Sequence, residues 1–178
     1  GELPPDWTIQ PVKYFAEKID GGSWGMDPQN DANDCVCIRV ADFDFDKRTI
    51  DTSRTLTMRN YPPDVLNKLM LKPGDIIIEK AGGGEKTPVG RAVIFTETFP
   101  ALFANFAERM RVKHSYDYRY IEYCLVAFYN IGGSYNYFNQ TTGIQNLNIQ
   151  KFRNDLFLPF PALVMQSTIA DYLDKQSA

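Results

Sequence analysis

Residues 141–175 read TTGIQNLNIQKFRNDLFLPFPALVMQSTIADYLDK, and the reading of this stretch organises the rest of the chain. It has three parts. A Gly-centred polar turn, Thr142-Gly143-Ile144-Gln145-Asn146-Leu147, comes first. A Pro-punctuated apolar segment follows, Leu156-Phe157-Leu158-Pro159-Phe160-Pro161. Last, Leu163, Gln166, Ile169, Ala170 and Leu173 recur at the spacing of one helix face. A compact domain is therefore expected over residues 1–160, with 161–178 the start of a helix that leaves it. Such a stripe suits a coiled-coil strand. It also suits a helix folded back onto the domain.

Outward from that junction, the composition is that of a globular chain. Of 178 residues, 44% are apolar, enough for one sizeable core. With 12 Phe and 10 Tyr, the chain is too aromatic for disorder. No apolar run approaches the ~20 residues that span a bilayer, and no cationic stretch leads into an apolar one. The expectation is no membrane and a cytoplasmic location. Cys35, Cys37 and Cys124 make no disulfide framework, and Cys35-Val-Cys37 is too tight for a zinc knuckle. In a Val/Ile-rich segment these thiols read as small hydrophobes.

The net charge of −3 argues mildly against nucleic acid, since phosphate contacts need Lys and Arg. The distribution softens that. Residues 1–60 are acidic, while 61–120 carry a slight basic excess.

Hydrophobic patterning supplies the elements. Pro11–Ile19 is a short helix or turn, and Trp7, Ile9 and Val12 dock the extended N-terminal segment. Asp20–Gly25 is a loop around Trp24, which is either a lid on the core or a ligand contact. Cys35–Ala41 is a central strand, and Ile50–Arg59 another. Val65–Met70 is a short helix behind Pro62-Pro63. Ile76–Ile78 and Arg91–Phe95 form a hairpin with a long glycine-rich tip, Ala81–Gly90. Phe99–Phe106 includes a helical turn. Ala107–Lys113 is a strand in preference to a helix, with Met110 and Val112 on one face and Arg109, Arg111 and Lys113 on the other. Asp117–Tyr129 is a helix, and Gly132–Gln140 a polar, aromatic loop. The fold class is α/β of the mixed, α+β-like kind, with a twisted, mostly antiparallel or mixed sheet and short helices.

Catalytic patterns are weak. Gly82-Gly83-Gly84-Glu85-Lys86-Thr87 lacks the Gly-Lys-Ser/Thr ending and the following helix of a phosphate loop. Its glycines and Lys86 still suit a DNA phosphate. Asp42, Asp44 and Asp46 share a face if extended, which suits a solvated edge better than a metal. Asp27–Asp34 lacks the glycine and glutamate of a calcium loop. His114 has no nucleophile nearby.

Four segments carry a family resemblance: Leu3-Pro4-Pro5-Asp6-Trp7, Leu71-Lys72-Pro73-Gly74-Asp75-Ile76-Ile77 with Val89-Gly90-Arg91-Ala92, Thr142–Leu147, and Leu158-Pro159-Phe160-Pro161 with Gln166, Ile169, Ala170 and Leu173. In order and spacing they resemble one target recognition domain of the specificity subunit of type I restriction-modification systems. Ala162 stands where a second Pro of the family pair is expected, and Met165 replaces the acid before Gln166.

The resemblance implies a non-catalytic module that reads one half of a bipartite target in double-stranded DNA. It implies a second recognition domain in the same chain or a dimer mate, a modification subunit that binds S-adenosylmethionine and methylates adenine, and a restriction subunit joined through the complex. No cofactor is expected on this chain. Residues 161–178 would begin the spacer helix, with Leu163, Gln166, Ile169 and Leu173 packing against a subunit or helix. Side-chain chemistry and loop placement nominate Lys80, Lys86, Arg91, Arg109, Arg111 and Lys113 for phosphate contacts, and Tyr135, Asn136, Tyr137 and Gln140 for base readout. The alternative is a protein-interaction domain without a DNA role.

Overall fold

The computed structural model describes residues 3–141 and 143–177, Thr141 by its backbone alone. Thr142 of the quoted turn lies outside the described residues. In chain order the elements are β1 (Thr8–Pro11), α1 (Val12–Phe15), β2 (Ala16–Gly21), β3 (Asp34–Ile38), β4 (Phe43–Asp44), β5 (Thr49–Ile50), β6 (Thr57–Asn60) and α2 (Pro63–Leu69). Next come β7 (Ile76–Glu79), β8 (Ala81–Gly82), β9 (Ala92–Ile94), β10 (Ala101–Phe103), β11 (Ala107–Val112) and α3 (Tyr118–Asn130). The chain continues through β12 (Phe138–Thr141), β13 (Ile144–Leu147), α4 (Ile149–Asp155), β14 (Phe157–Phe160) and α5 (Leu163–Ser177). This is the mixed fold expected from the sequence.

The centre is a four-stranded antiparallel sheet in the order β2-β11-β7-β9. Both faces are covered, which is why β7 reads as a continuous apolar run rather than an alternation. Ile76 and Ile78 join a core with Met110, Ile121, Leu125 and Phe160. Ile77 faces a second core with Val93, Phe95, Leu102 and Tyr61. Period-two geometry thus puts neighbouring isoleucines into different cores.

The first core is closed by α3, α4 and the antiparallel ribbon β1-β14. That ribbon ties the N-terminal segment to the strand just before α5. Val12 is buried and Trp7 packs on the core, but Ile9 is exposed, on the outer face of the ribbon. The second core lies under a three-stranded sheet, β10-β3-β6, in which β10 runs parallel to β3 and β6 antiparallel. Cys35 and Cys37 are buried there as small hydrophobes, and burial raises both thiol pKa values.

Several local expectations give way to tertiary pairing. Phe99–Phe106 holds a strand, Ala101–Phe103, not a helical turn, because three fully buried residues pair with β3 from far along the chain. Pro11–Ile19 splits into one helical turn and β2, which takes the free edge of β11. Ile50–Arg59 is not one strand but two short ones with a turn between them. Asp42, Asp44 and Asp46 do not share a face. A 3-10 turn at Val40–Asp42 buries Asp42 completely against Arg39, while Asp44 accepts the backbone N–H groups of Asp46 and Lys47.

α3 is capped by Asp117, whose carboxylate accepts from the backbone N–H of Arg119 and Tyr120. α5 lies against α3. Gln166 is 2% exposed and bridges the two, accepting from Asp117 N at 3.1 Å and donating to Pro161 O at 2.9 Å. Ala170 is fully buried, Ile169 and Leu173 are half-buried, and Leu163 is exposed. The stripe therefore packs on its own domain from Gln166 onward, and Leu163 stays outside that contact. Among the described residues no helix is long and apolar enough to cross a membrane.

Candidate nucleic-acid interface

Three stretches without a shared pattern in the sequence, 21–34, 82–88 and 132–140, meet at one end of the central sheet. This end is marked by two pairs, Gly21 with Glu108 and Glu79 with Ala107. Beyond it, Ala81 and Gly82 of β8 pair with Asn146 and Gln145 of β13, and β13 pairs with β12. The result is a small antiparallel sheet, β12-β13-β8, that fuses the glycine-rich tip to the polar segment.

Side-chain bonds rigidify this end. Gln145 is 2% exposed; it accepts from Val89 N at 3.1 Å and donates to Gly84 O at 3.3 Å, so one buried amide pins the tip. Gly83 makes this possible. Its φ is +60°, and a Cβ there would sit 2.8 Å from Gln145 Oε1. Tyr135 and Tyr129 hydroxyls donate to the carbonyls of Glu85 and Pro88. The other stretch is held by a knot around Asn60, which donates to Asp31 and Asp34 at 2.8 Å each. Arg59 stacks 4.8 Å from the Trp24 ring and donates to Trp24 O, Gly25 O and Asp27.

What remains outward is polar and uncharged for the most part. Asn136, Asn139, Gln140 and Asn146 are exposed, with no hydrogen-bond partner for their side chains among the described residues. Tyr135 and Ile144 are about half exposed. Tyr137 differs from its neighbours. Its ring packs on Phe128 and Phe152, and its hydroxyl donates to Asp155 O at 2.9 Å, so it anchors the segment. Of the four nominated readers, Tyr135, Asn136 and Gln140 share the surface and Tyr137 supports it from below. Sequence reasoning missed Gln145, Asn139 and Asn146. The alternation Ile144-Gln145-Asn146-Leu147, outward-inward-outward-inward, carried the signal.

The nominated cations are scattered. Lys86 is exposed at the tip and has no ion pair among the described residues. Lys80 pairs with buried Glu108 at 2.7 Å, and Arg91 pairs with buried Glu79 while stacking 3.8 Å from Phe45. Arg111 binds Asp75 through two 2.7 Å bonds near the opposite end of the sheet, and Lys113 beyond it donates to Tyr14 O.

Arg109 has no surface to offer a phosphate, and its nomination is corrected. It is 0% exposed, pairs with Asp20, and donates to the carbonyls of Lys68 and Met70. Those are orphan carbonyls at the end of α2, so the guanidinium caps that helix from inside the second core. The strand assignment and the facing of Arg109 and Arg111 are as expected. At Arg109 the face they occupy is buried, because the end of α2 and Phe103 of β10 cover it.

Near the α3–α5 contact lies a denser charge cluster. Arg119 bonds Asp117, Asp171 and Asp174. Arg48 bonds Glu122 and the Tyr123 hydroxyl, which in turn donates to Asp174. Glu122 is fully buried with one oxygen unpartnered, and burial pushes its pKa to about 7 against the pull of Arg48. Among the described residues no group of His, Cys, Asp or Glu is placed to hold a metal ion. His114 is exposed, with no nucleophile bonded to it among the described residues.

No family model and no curated protein sequence matches the chain. Solved structures do. A structure explaining complex assembly and conformational transition of a type I restriction-modification system aligns over 99% of this chain and 39% of its own, with a TM-score of 0.66 and 16% identity. The HsdS subunit from Thermoanaerobacter tengcongensis aligns over 98% and 38%, at 0.64 and 20% identity. The S subunit from M. genitalium aligns over 98% and 40%, at 0.59 and 14% identity. The chain spans about two fifths of the length of these structures. At such identities the likeness is one of fold. In fold, the whole described chain resembles a target recognition domain of a type I restriction-modification specificity subunit.

Proposed function

We propose that this chain is a non-catalytic DNA-reading module, one half of a bipartite specificity subunit. The observation that carries this is the β12-β13-β8 surface. Amide side chains with no partner among the described residues stand there on a backbone pinned by Gln145, and Lys86, whose ammonium has no partner among them either, flanks them. Asn and Gln amides match the donor–acceptor pattern of adenine in the major groove. Gln140, Asn136 and Asn139 would read base edges, Tyr135 would pack on sugar or base, and Lys86 would position the duplex through phosphate.

Methyl transfer would belong to a modification subunit carrying S-adenosylmethionine, and cleavage to a restriction subunit joined through the complex. A second recognition domain, on the same chain or a dimer mate, would read the other half-site. Residues 1–160 would then be the recognition domain and 161–178 the root of the spacer helix. The exposed Leu163 would be free to meet a subunit.

The test is co-expression of the chain, extended through α5, with its methyltransferase subunit, followed by mapping of N6-methyladenine. A single motif that changes when residues 132–140 are exchanged supports the reading. A stable complex without sequence-dependent methylation overturns it. One observation favours the alternative, a protein-interaction domain: of the six nominated cations, only Lys86 lacks a partner among the described residues. Duplex binding that weakens steeply with salt decides against that alternative.

A further inference from the structure

Beside the reading surface lies a groove of about 500 Å³. Trp24 and Phe106 line it, 41% and 57% exposed, together with Val40, Ala81 and Ala104. Two large aromatics left in water around an apolar groove mark a surface with a use.

Both aromatics are held in place. Trp24 is backed by the Arg59 guanidinium and by three bonds that Arg59 makes to its loop. The loop is stitched to the β10–β11 turn by Gly22 N to Ala107 O at 3.2 Å and Ser23 N to Phe103 O at 2.9 Å. Only glycine fits at 22, since a Cβ there would lie 2.2 Å from Ala104 O. Phe106 is fixed by its carbonyl, which accepts from Lys80 N and Ala81 N. Ala81 also pairs with Asn146 in the small sheet, so groove and reading surface share a strand. The groove carries two polar groups, the Asn105 amide and the Arg39 guanidinium, which is already bound to Asp42.

We propose that this groove takes an unstacked nucleobase from the DNA lying on the reading surface. A base is flat, apolar on its faces and polar at its edge. It could stack on Trp24 or Phe106 and turn its edge to Asn105. Stacking on protein aromatics is sequence-tolerant, because every base has a π face. The groove would therefore favour locally opened DNA while the amides of the small sheet supply sequence. The inference rests on the DNA-reading function proposed above.

The experiment compares two duplexes with the full chain by fluorescence anisotropy. One is fully paired. The other carries a single bulged 2-aminopurine. The expected result is binding of the bulged duplex on the order of tenfold tighter, with a change in 2-aminopurine emission. Phe106→Ala and Trp24→Ala, each checked for an unchanged urea midpoint, should each reduce the preference for the bulged over the paired duplex. Equal affinity for the two duplexes overturns the groove assignment alone. So does a preference that survives both substitutions in the folded protein. Binding of neither duplex overturns the DNA-reading function together with this inference.

Discussion

Around the α3–α5 contact, Arg48, Arg119, Glu122, Asp171 and Asp174 hold one another, whereas at the tip Lys86, Asn136, Asn139 and Gln140 stand exposed with no partner among the described residues. The residue types are similar in polarity. Their surroundings differ. At Glu122 beside α5 and at Arg109 in the second core, a buried group needs a partner, because a lone buried charge is expensive. At the tip, buried Gln145 satisfies the backbone from behind, so the outward amides are left to bind something else. Polar groups that hold the fold are thus separated in space from polar groups left facing solvent.

Substitutions on either side of this divide should behave differently. The largest effect is expected at Arg109. Arg109→Ala leaves Asp20 without its buried partner and uncaps the Lys68 and Met70 carbonyls. A stability loss of about 3–5 kcal/mol is expected, read as a lower urea midpoint.

Glu122 sharpens the comparison through pH. Its folded pKa of about 7 lies above that of an exposed glutamate, so the folded state keeps the proton longer than the unfolded chain does. Stability from this group is therefore full at low pH and falls as pH rises through about 7. The change is on the order of 3 kcal/mol. Glu122→Gln should abolish that slope. Comparing denaturation of the two proteins between about pH 4 and pH 8 isolates it from the other carboxyls. Parallel pH profiles would show that Glu122 is not protonated in the fold.

Gln145→Leu should cost about 1–3 kcal/mol by orphaning Val89 N and Gly84 O. Its mark would be faster amide exchange confined to residues 82–90, with α3 unchanged. At the small end, Lys86→Ala should alter stability by less than about 0.5 kcal/mol. It should still lower the salt dependence of duplex binding by about one unit of slope. An unaltered slope would remove Lys86 from the phosphate contacts.

Much of the fold could be read locally. The α3 helix follows from the stripe Tyr120, Ile121, Cys124, Leu125 and Phe128 behind Asp117, and β7 from three consecutive isoleucines. The strand at 107–113 and the facing of its arginines were legible from alternation alone. The parallel β10–β3 pair was not, since Ala101-Leu102-Phe103 is too short to show a period. The candidate site was legible in part. Glycines and amides marked the segments at 82–88 and 132–140, but their union depends on pairing across some sixty residues of chain.

Hydrophobic period, turn residues and caps determined the mixed fold class, α3, β7 and the α5 stripe, because each acts over a few neighbouring residues. Only the tertiary structure decided which polar side chains are available. Arg109 and Lys86 look alike in sequence. One is sealed beneath α2 and the other stands in water, because burial is set by elements that arrive from elsewhere in the chain.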